Sequence, residues 1–240
     1  MNRILFDKCE MLDSRVTIRD FRADHIIDVL HGEVGQKLKT GEIDGPIGTG
    51  TILLVDREKR IVEISLEHNE KSLAPWIDLI LAPPRPRVMK RLLPQLATMG
   101  AGRIILVGAN KVEKDFWGAT LLKDENMRPL LIEGLMQAGT STLPHVETRR
   151  NLGAFIGDEL DAMFLNSQRI LAHPGESVSL GRISTNKRIL LAVGPEGGWT
   201  DKELDLFEAK GFSRYSLGKR ILKTETACIA LMARLNEGNR

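Results

Sequence analysis

Cysteine is almost missing from this 240-residue chain: Cys9 and Cys228 are the two, and no C-x-x-C pair exists. That spacing argues against a cysteine-rich zinc site or a disulfide framework, and free thiols in a reducing compartment are expected. Five histidines (His25, His31, His68, His145 and His173) are scattered without ligand spacing, so no metal is expected. No apolar run approaches the roughly 20 residues that span a bilayer. The N-terminal MNRILFDKCE has no apolar signal-peptide core, so a cytoplasmic protein without membrane partners is expected. Aromatics are sparse at 5%, and a net charge of +2 is too small to argue for nucleic acid by itself.

What is present suits a globular protein with a sizeable core, since 42% of residues are hydrophobic and 28% charged. Charge is unevenly placed: residues 1–70 carry 10 Lys and Arg against 14 Asp and Glu. Two acid-free basic clusters follow later, Arg85, Arg87, Lys90 and Arg91, then Arg214, Lys219, Arg220 and Lys223. Such clusters either meet a phosphate backbone or form a solvated face.

Residues 1 to about 70 read as β-rich, with strands at RILF, RVTI, TILLVD and RIVEISLE and a glycine-laden turn at GEIDGPIGTG. Val62, Ile64 and Leu66 share one strand face, and ADHIIDVL reads as a short helix with Ile26, Ile27 and Leu30 on its apolar side. EHNEKSLAP reads as a linker. From Trp76 strands and helices alternate. WIDLILA, RIILVGA, RILAH, KRILLAVG and RYSLG are expected strands, and their near-continuous apolar runs indicate a mostly parallel α/β sheet. VMKRLLPQLATMG is an expected helix with Val88, Leu92, Leu96 and Met99 near one face, interrupted at Pro94, which lacks the backbone donor. MRPLLIEGLMQAG is another, with Pro129 in its first turn and Gly139 at its end. The expected domains are 1–70 and 74–240.

Two segments carry the chemistry. In KRILLAVGPEGGWTDKEL, Thr200 and Glu203 form a T-x-x-E capping box, so a helix starts just after Trp199 and Gly211 ends it. Gly194, Gly197 and Gly198 then stand at the carboxyl end of a strand, where open α/β sheets hold ligands. The plain alternative is a tight strand–helix connection. GPEGG is neither a P-loop nor a GxGxxG fingerprint. In YSLGKRILKTETACIALMARL a polar loop leads to a helix that Thr224 or Thr226 could cap, with Glu225 near its positive end. Cys228 reads as a small core residue of that helix, and Trp199 as packing on the helix it precedes or stacking on a base.

Taken together, GPEGGWTDKE and LGKRILKTETA resemble the C-terminal half of the SPOUT methyltransferases, and most closely the RsmE-type family, which methylates N3 of a uridine in 16S small-subunit ribosomal RNA. HIIDVLHGEVGQKL resembles that family's PUA-like segment. ILAHP is similar to its His-Pro strand end at His173–Pro174, LILAPPRPRVMKRLLPQLATMG to its first α/β unit, and MQAGTSTLP to its Gln-x-Gly helix end. The resemblance implies a small PUA-like β-barrel, a C-terminal α/β domain tied in a deep trefoil knot, and a homodimer acting on ribosomal RNA or the small subunit. It implies S-adenosylmethionine as cofactor, held by Gly194, Pro195, Glu196, Gly197, Leu217, Gly218, Ile221, Leu222, Thr224 and Ala227. Removing the N3 proton of uracil, or stabilising the anion spread onto its ring oxygens, calls for a positioned base or cation. Arg220, Lys223, Glu225 and Arg85 are the candidates.

Several residues depart from the family pattern: Val88 and Lys223 where Lys and Arg are usual, Gln95, Ala97 and Thr98 in the same helix, and Met136 and Thr140 at the Gln-x-Gly helix end. Of these, Val88, Gln95, Thr98 and Thr140 favour a second reading, a retargeted or non-catalytic relative that binds the cofactor and associates with RNA or the ribosome.

Overall fold

Period-two alternation builds the N-terminal unit. In β1 (Ile4–Phe6), β2 (Arg15–Ile18), β3 (Lys37–Glu42), β4 (Ile47–Asp56) and β5 (Ile61–Glu70), alternate side chains point to opposite faces of one sheet. The strand order is β1-β3-β4-β5-β2. Only β1 runs parallel to its neighbour; the other pairs are antiparallel. Val62, Ile64 and Leu66 are buried with Val16, Ile18, Ile52 and Phe6 in a common core. The computed structural model describes residues 2–175 and 187–237. Its chain divides into two units, Met1–Ala74 with Ile132–Leu143, and Pro75–Leu131 with Pro144–Arg240.

The segment GEIDGPIGTG is mostly strand, not turn: β3 runs to Glu42 and β4 begins at Ile47. Its glycines serve close packing within the sheet. A Cβ on Gly48 would lie 2.0 Å from the Glu67 carbonyl oxygen, which no side chain tolerates. The expected linker is shortened too, because β5 continues through Glu70. The helix α1 (Phe21–Asp24) extends through a π turn at His25–Val29. It buries Ile26 and Ile27 but leaves Leu30 at the surface. Asp20 caps it by accepting the Arg22 backbone N–H at 2.9 Å. The buried Arg22 guanidinium also reaches Glu10 and donates to the Leu5 carbonyl at 2.8 Å.

In the second unit, β6 (Ile77–Leu81) is buried along its whole length, as a central parallel strand must be. With β7 (Ala101–Val107), β8 (His145–Arg149), β9 (Gln168–Ala172), β10 (Ile189–Val193) and β11 (Ser213–Tyr215) it forms a sheet ordered β11-β9-β10-β6-β7-β8. Among the described residues every pairing in it is parallel. The expected α/β architecture is therefore present. β8 and the helical stretch over 152–163, made of α4 (Leu152–Ala154), a π turn (Phe155–Glu159) and α5 (Leu160–Met163), were not signalled by the sequence.

Two helix expectations are corrected. α2 (Pro86–Thr98) runs unbroken through Pro94. The proline forfeits one backbone bond, yet Met89, Leu92, Leu93, Leu96 and Ala97 are buried on both sides of it, and that face holds the helix together. Val88 and Met99 are only half-buried. α3 (Asp124–Ala138) starts earlier than expected, with Asp124 and Glu125 at its positive end, so Pro129 lies inside the helix and not in its first turn. Gly139 ends it at φ +77°.

Candidate functional site

Three neighbouring parallel strands, β9, β10 and β11, end at the same edge of the sheet. Their following loops start at His173, Gly194 and Ser216. The carboxyl ends of parallel strands are where open α/β sheets bind ligands. Here they enclose a cleft of about 230 Å³. Its apolar walls include Val193, Leu217, Ile221, Leu222, Ala227 and Leu231.

The GPEGG loop is fixed from several directions. Gly198 N–H donates to the Pro195 carbonyl at 2.8 Å, closing a turn, and Gly198 takes φ +69°, where a side chain is strained. α6 (Asp201–Ala209) begins with the expected capping box. The Glu203 carboxylate accepts from Thr200 N at 2.8 Å and Thr200 Oγ1 at 2.9 Å. Its other oxygen accepts the Asn110 backbone N–H at 2.7 Å, so the loop after β7 is tied to the same carboxylate. Lys111 Nζ donates to the Gly197 carbonyl at 2.7 Å. Nothing in the sequence pattern signalled Asn110 or Lys111, because each pairing spans about 90 residues and has a backbone atom as one partner.

Trp199 is 5% exposed and packs edge-on against Phe207 of α6, with ring centroids 4.9 Å apart. That is the packing reading of this residue. Its indole edge lies over Gly194, where a Cβ would come within 3.1 Å of it.

Most of the expected cofactor residues come together. Gly194, Pro195, Glu196, Gly197, Leu217, Ile221, Leu222, Thr224 and Ala227 all line the cleft. Gly218 does not; its φ of +118° shapes the loop, and its N–H donates to Ser216 Oγ at 3.1 Å. α7 (Thr224–Asn236) has Lys223 as its N-cap residue, and no side chain caps it. The Thr224 hydroxyl is used differently: buried at 3% exposure, it donates to the Gly194 carbonyl at 3.1 Å and joins the two loops. Cys228 is fully buried on α7, and burial pushes its thiol up to about 12, as suits a core residue.

Among the expected catalytic residues, Arg220 lines the cleft, and Lys223, Glu225 and Arg85 do not. Arg85 is exposed at the start of α2 and donates to Glu113 at 2.8 Å. Arg214 pairs with Glu208, which takes it out of the free basic cluster. His173 lines the cleft, and its Nδ1 is buried without a partner among the described residues. Burial lowers its pKa, the Arg214 charge lowers it further, and Asp201 and Glu208 oppose them. Among the described residues no cluster of three metal-ligating side chains occurs, and no helix is long and apolar enough to cross a membrane.

Comparison with known proteins matches an RNA methyltransferase domain family over residues 70–236. A ribosomal RNA small subunit methyltransferase E of Treponema pallidum is 32% identical over 97% of this chain and 90% of its own length. A ribosomal RNA small subunit methyltransferase E 1 of Borreliella burgdorferi is 29% identical over 90% of this chain and 89% of its own. Among solved structures, the ribosomal RNA small subunit methyltransferase E of Neisseria gonorrhoeae, bound to S-adenosyl methionine, superposes with a TM-score of 0.78 at 24% identity. That match covers 99% of this chain and 97% of the other. A Legionella pneumophila methyltransferase with the same bound cofactor gives 0.75 at 23% identity, over 98% and 97% of the two chains. With a glycine-rich cleft at the ends of β9, β10 and β11, and a relative 32% identical along almost its entire length, this chain belongs to the ribosomal RNA small subunit methyltransferase E family of RNA methyltransferases.

Proposed function

We propose that the chain transfers a methyl group from S-adenosylmethionine to N3 of a uridine in 16S ribosomal RNA, acting as a homodimer on the RNA or the small subunit. The observation that carries this reading is the convergence of GPEGG and LGKRILKTETA on one cleft. The residues fit such a cofactor. Leu217, Ile221 and Leu222 offer apolar surface to a nucleoside, and two residues of the cleft hold buried nitrogens without partners among the described residues. Ile221 is 84% exposed, as befits a side chain free to close over a ligand.

When bound, the cofactor supplies an electrophilic methyl group on a positive sulfur. The chain's own part is orientation and charge. Arg220, on the cleft wall, is assigned to the negative charge that spreads onto the uracil oxygens as N3 loses its proton to water. Lys223, exposed three residues further on, is assigned to RNA phosphates, as is Arg85 at the start of α2, which would exchange its surface partner Glu113 for phosphate. Glu225, in the first turn of α7, is assigned to holding the loop and not to proton transfer.

Nucleoside mapping of ribosomal RNA by mass spectrometry, from cells with and without the gene, tests the target. A missing N3-methyluridine in the deletion strain is expected, and an unchanged nucleoside profile would refute it. The retargeted reading rests on Val88, Gln95, Thr98 and Thr140. Of these, Gln95 and Thr98 are exposed on α2, and Thr140 spends its hydroxyl on Ser72 at 2.7 Å. Cofactor binding without methyl transfer to undermethylated small subunits would favour it.

A further inference from the structure

Two residues of the cleft carry a polar atom without a partner among the described residues. Trp199 Nε1 and His173 Nδ1 are both withdrawn from solvent and meet no hydrogen-bond partner there, and both residues line the cavity. Buried nitrogens are rarely left in this state, because each forfeits its bonds to water and gains nothing in return. The two also differ in what they demand. An indole N–H only donates, whereas one nitrogen of a neutral imidazole accepts. The fold fixes where both residues start: the His173 backbone N–H donates to the Tyr215 carbonyl at 3.1 Å, and the Trp199 ring is wedged between Gly194 and Phe207.

We propose that His173 and Trp199 are direct ligand contacts of this cleft, His173 Nδ1 accepting from an N–H or O–H of the bound cofactor and Trp199 Nε1 donating to one of its oxygens or ring nitrogens. The inference rests on the cofactor reading above and adds to it two side chains that neither loop motif contains. It explains why a tryptophan follows GPEGG where any large apolar residue would pack on Phe207. It also gives the strand-end histidine a function in binding. A neutral ring is required for the accepting role. The charged groups acting on it are Arg214 from β11 and Asp201 and Glu208 from α6, with burial and Arg214 favouring the neutral form. Arg220 and Glu196 line the same cleft. Acid protonates the imidazole, removes the acceptor and adds a positive charge near a cationic cofactor, so binding weakens as pH falls.

Calorimetric titration of the full chain with S-adenosylmethionine tests this. His173→Phe should weaken binding about tenfold, the loss expected for one hydrogen bond left unmade. His173→Asn, which restores a polar atom near the Nδ1 position, should recover most of it. Wild-type affinity should fall between pH 8 and pH 5.5, while the Asn variant stays flat. Trp199→Phe keeps the ring contact and should lose a similar factor. On binding, the Trp199 indole N–H resonance of wild-type protein should shift downfield. Circular dichroism melts identify any variant that fails to fold, and the pH profile and indole shift, read on wild-type protein, decide the matter without variants. Wild-type protein that binds the cofactor with a flat pH profile and an unmoved indole resonance overturns this inference alone. Wild-type protein that does not bind the cofactor overturns the cofactor reading and this inference with it.

Discussion

Replacing Thr224 by valine removes one hydroxyl and almost no volume, and it should loosen the cleft. That hydroxyl is the hydrogen bond from α7 to the Gly194 carbonyl, at 3.1 Å, made by a side chain only 3% exposed. The half-buried Gly194 carbonyl would be left facing a methyl group. Truncating one partner of a buried hydrogen bond costs about 1–3 kcal/mol. For a chain of this size each kcal/mol moves the melting temperature by roughly 2–4 °C, so a drop of roughly 2–12 °C is expected. Affinity should suffer as well, because the loops that line the cleft spend less time in the binding geometry and apparent affinity scales with that fraction. Thr224→Ser keeps the donor and should recover most of the stability and nearly all of the affinity. Differential scanning calorimetry with and without S-adenosylmethionine measures both. If the valine variant melted and bound like wild type while serine did no better, the tie between the loops would have no energetic weight.

Other outcomes are expected elsewhere. Glu203→Gln leaves one acceptor oxygen for the three donors now served by two, Thr200 N, Thr200 Oγ1 and Asn110 N. It should cost about 1–3 kcal/mol in urea denaturation, and an unchanged midpoint would count against the shared anchor. Iodoacetamide should label exposed Cys9 and spare Cys228, whose buried thiol stands at about 12, giving a single adduct by mass spectrometry of native protein. Burial opposes the charge on Asp20, but hydrogen bonds from Arg22 outweigh it and hold its pKa below the usual carboxylate value. Its contribution is therefore present above the unfolded value of about 3.9 and is lost as pH falls through the lower folded one. Asp20→Asn should lower stability at neutral pH and flatten the acid limb of a stability–pH curve, and an acid limb as steep as wild type would refute this.

How much of this was legible in the sequence varied with the range of the interaction. The buried strands and the Thr200–Glu203 box were readable because both signals lie within a few residues of each other. β3 was hidden because Gly41 looks like a turn residue, yet in the sheet a Cβ there would press Ile47 at 2.9 Å. Pro94 and Pro129 were misplaced since local propensity forbids what long-range burial of α2 and the earlier start of α3 allow. In the site, the motif residues were found from their resemblance to a family. The contacts from Lys111 and Asn110 were not, because they join segments distant in sequence and two of the four atoms involved, Asn110 N and the Gly197 carbonyl oxygen, belong to the backbone.

The order of strands across the second sheet also sets a timetable. β6 is complete early in the chain, and one of its neighbours, β7, follows at once. Its other neighbour is β10, with Ile77 opposite Ile189, about 110 residues later. At synthesis rates of roughly 5–20 residues per second, one edge of β6 waits roughly 5–20 s for its partner during translation. The nascent chain therefore carries an open strand edge, with unpaired backbone groups on a mostly apolar strand, for longer than most small domains take to fold. Chaperone dependence during synthesis should accordingly track the elongation rate between these two strands more than the stability of the finished protein.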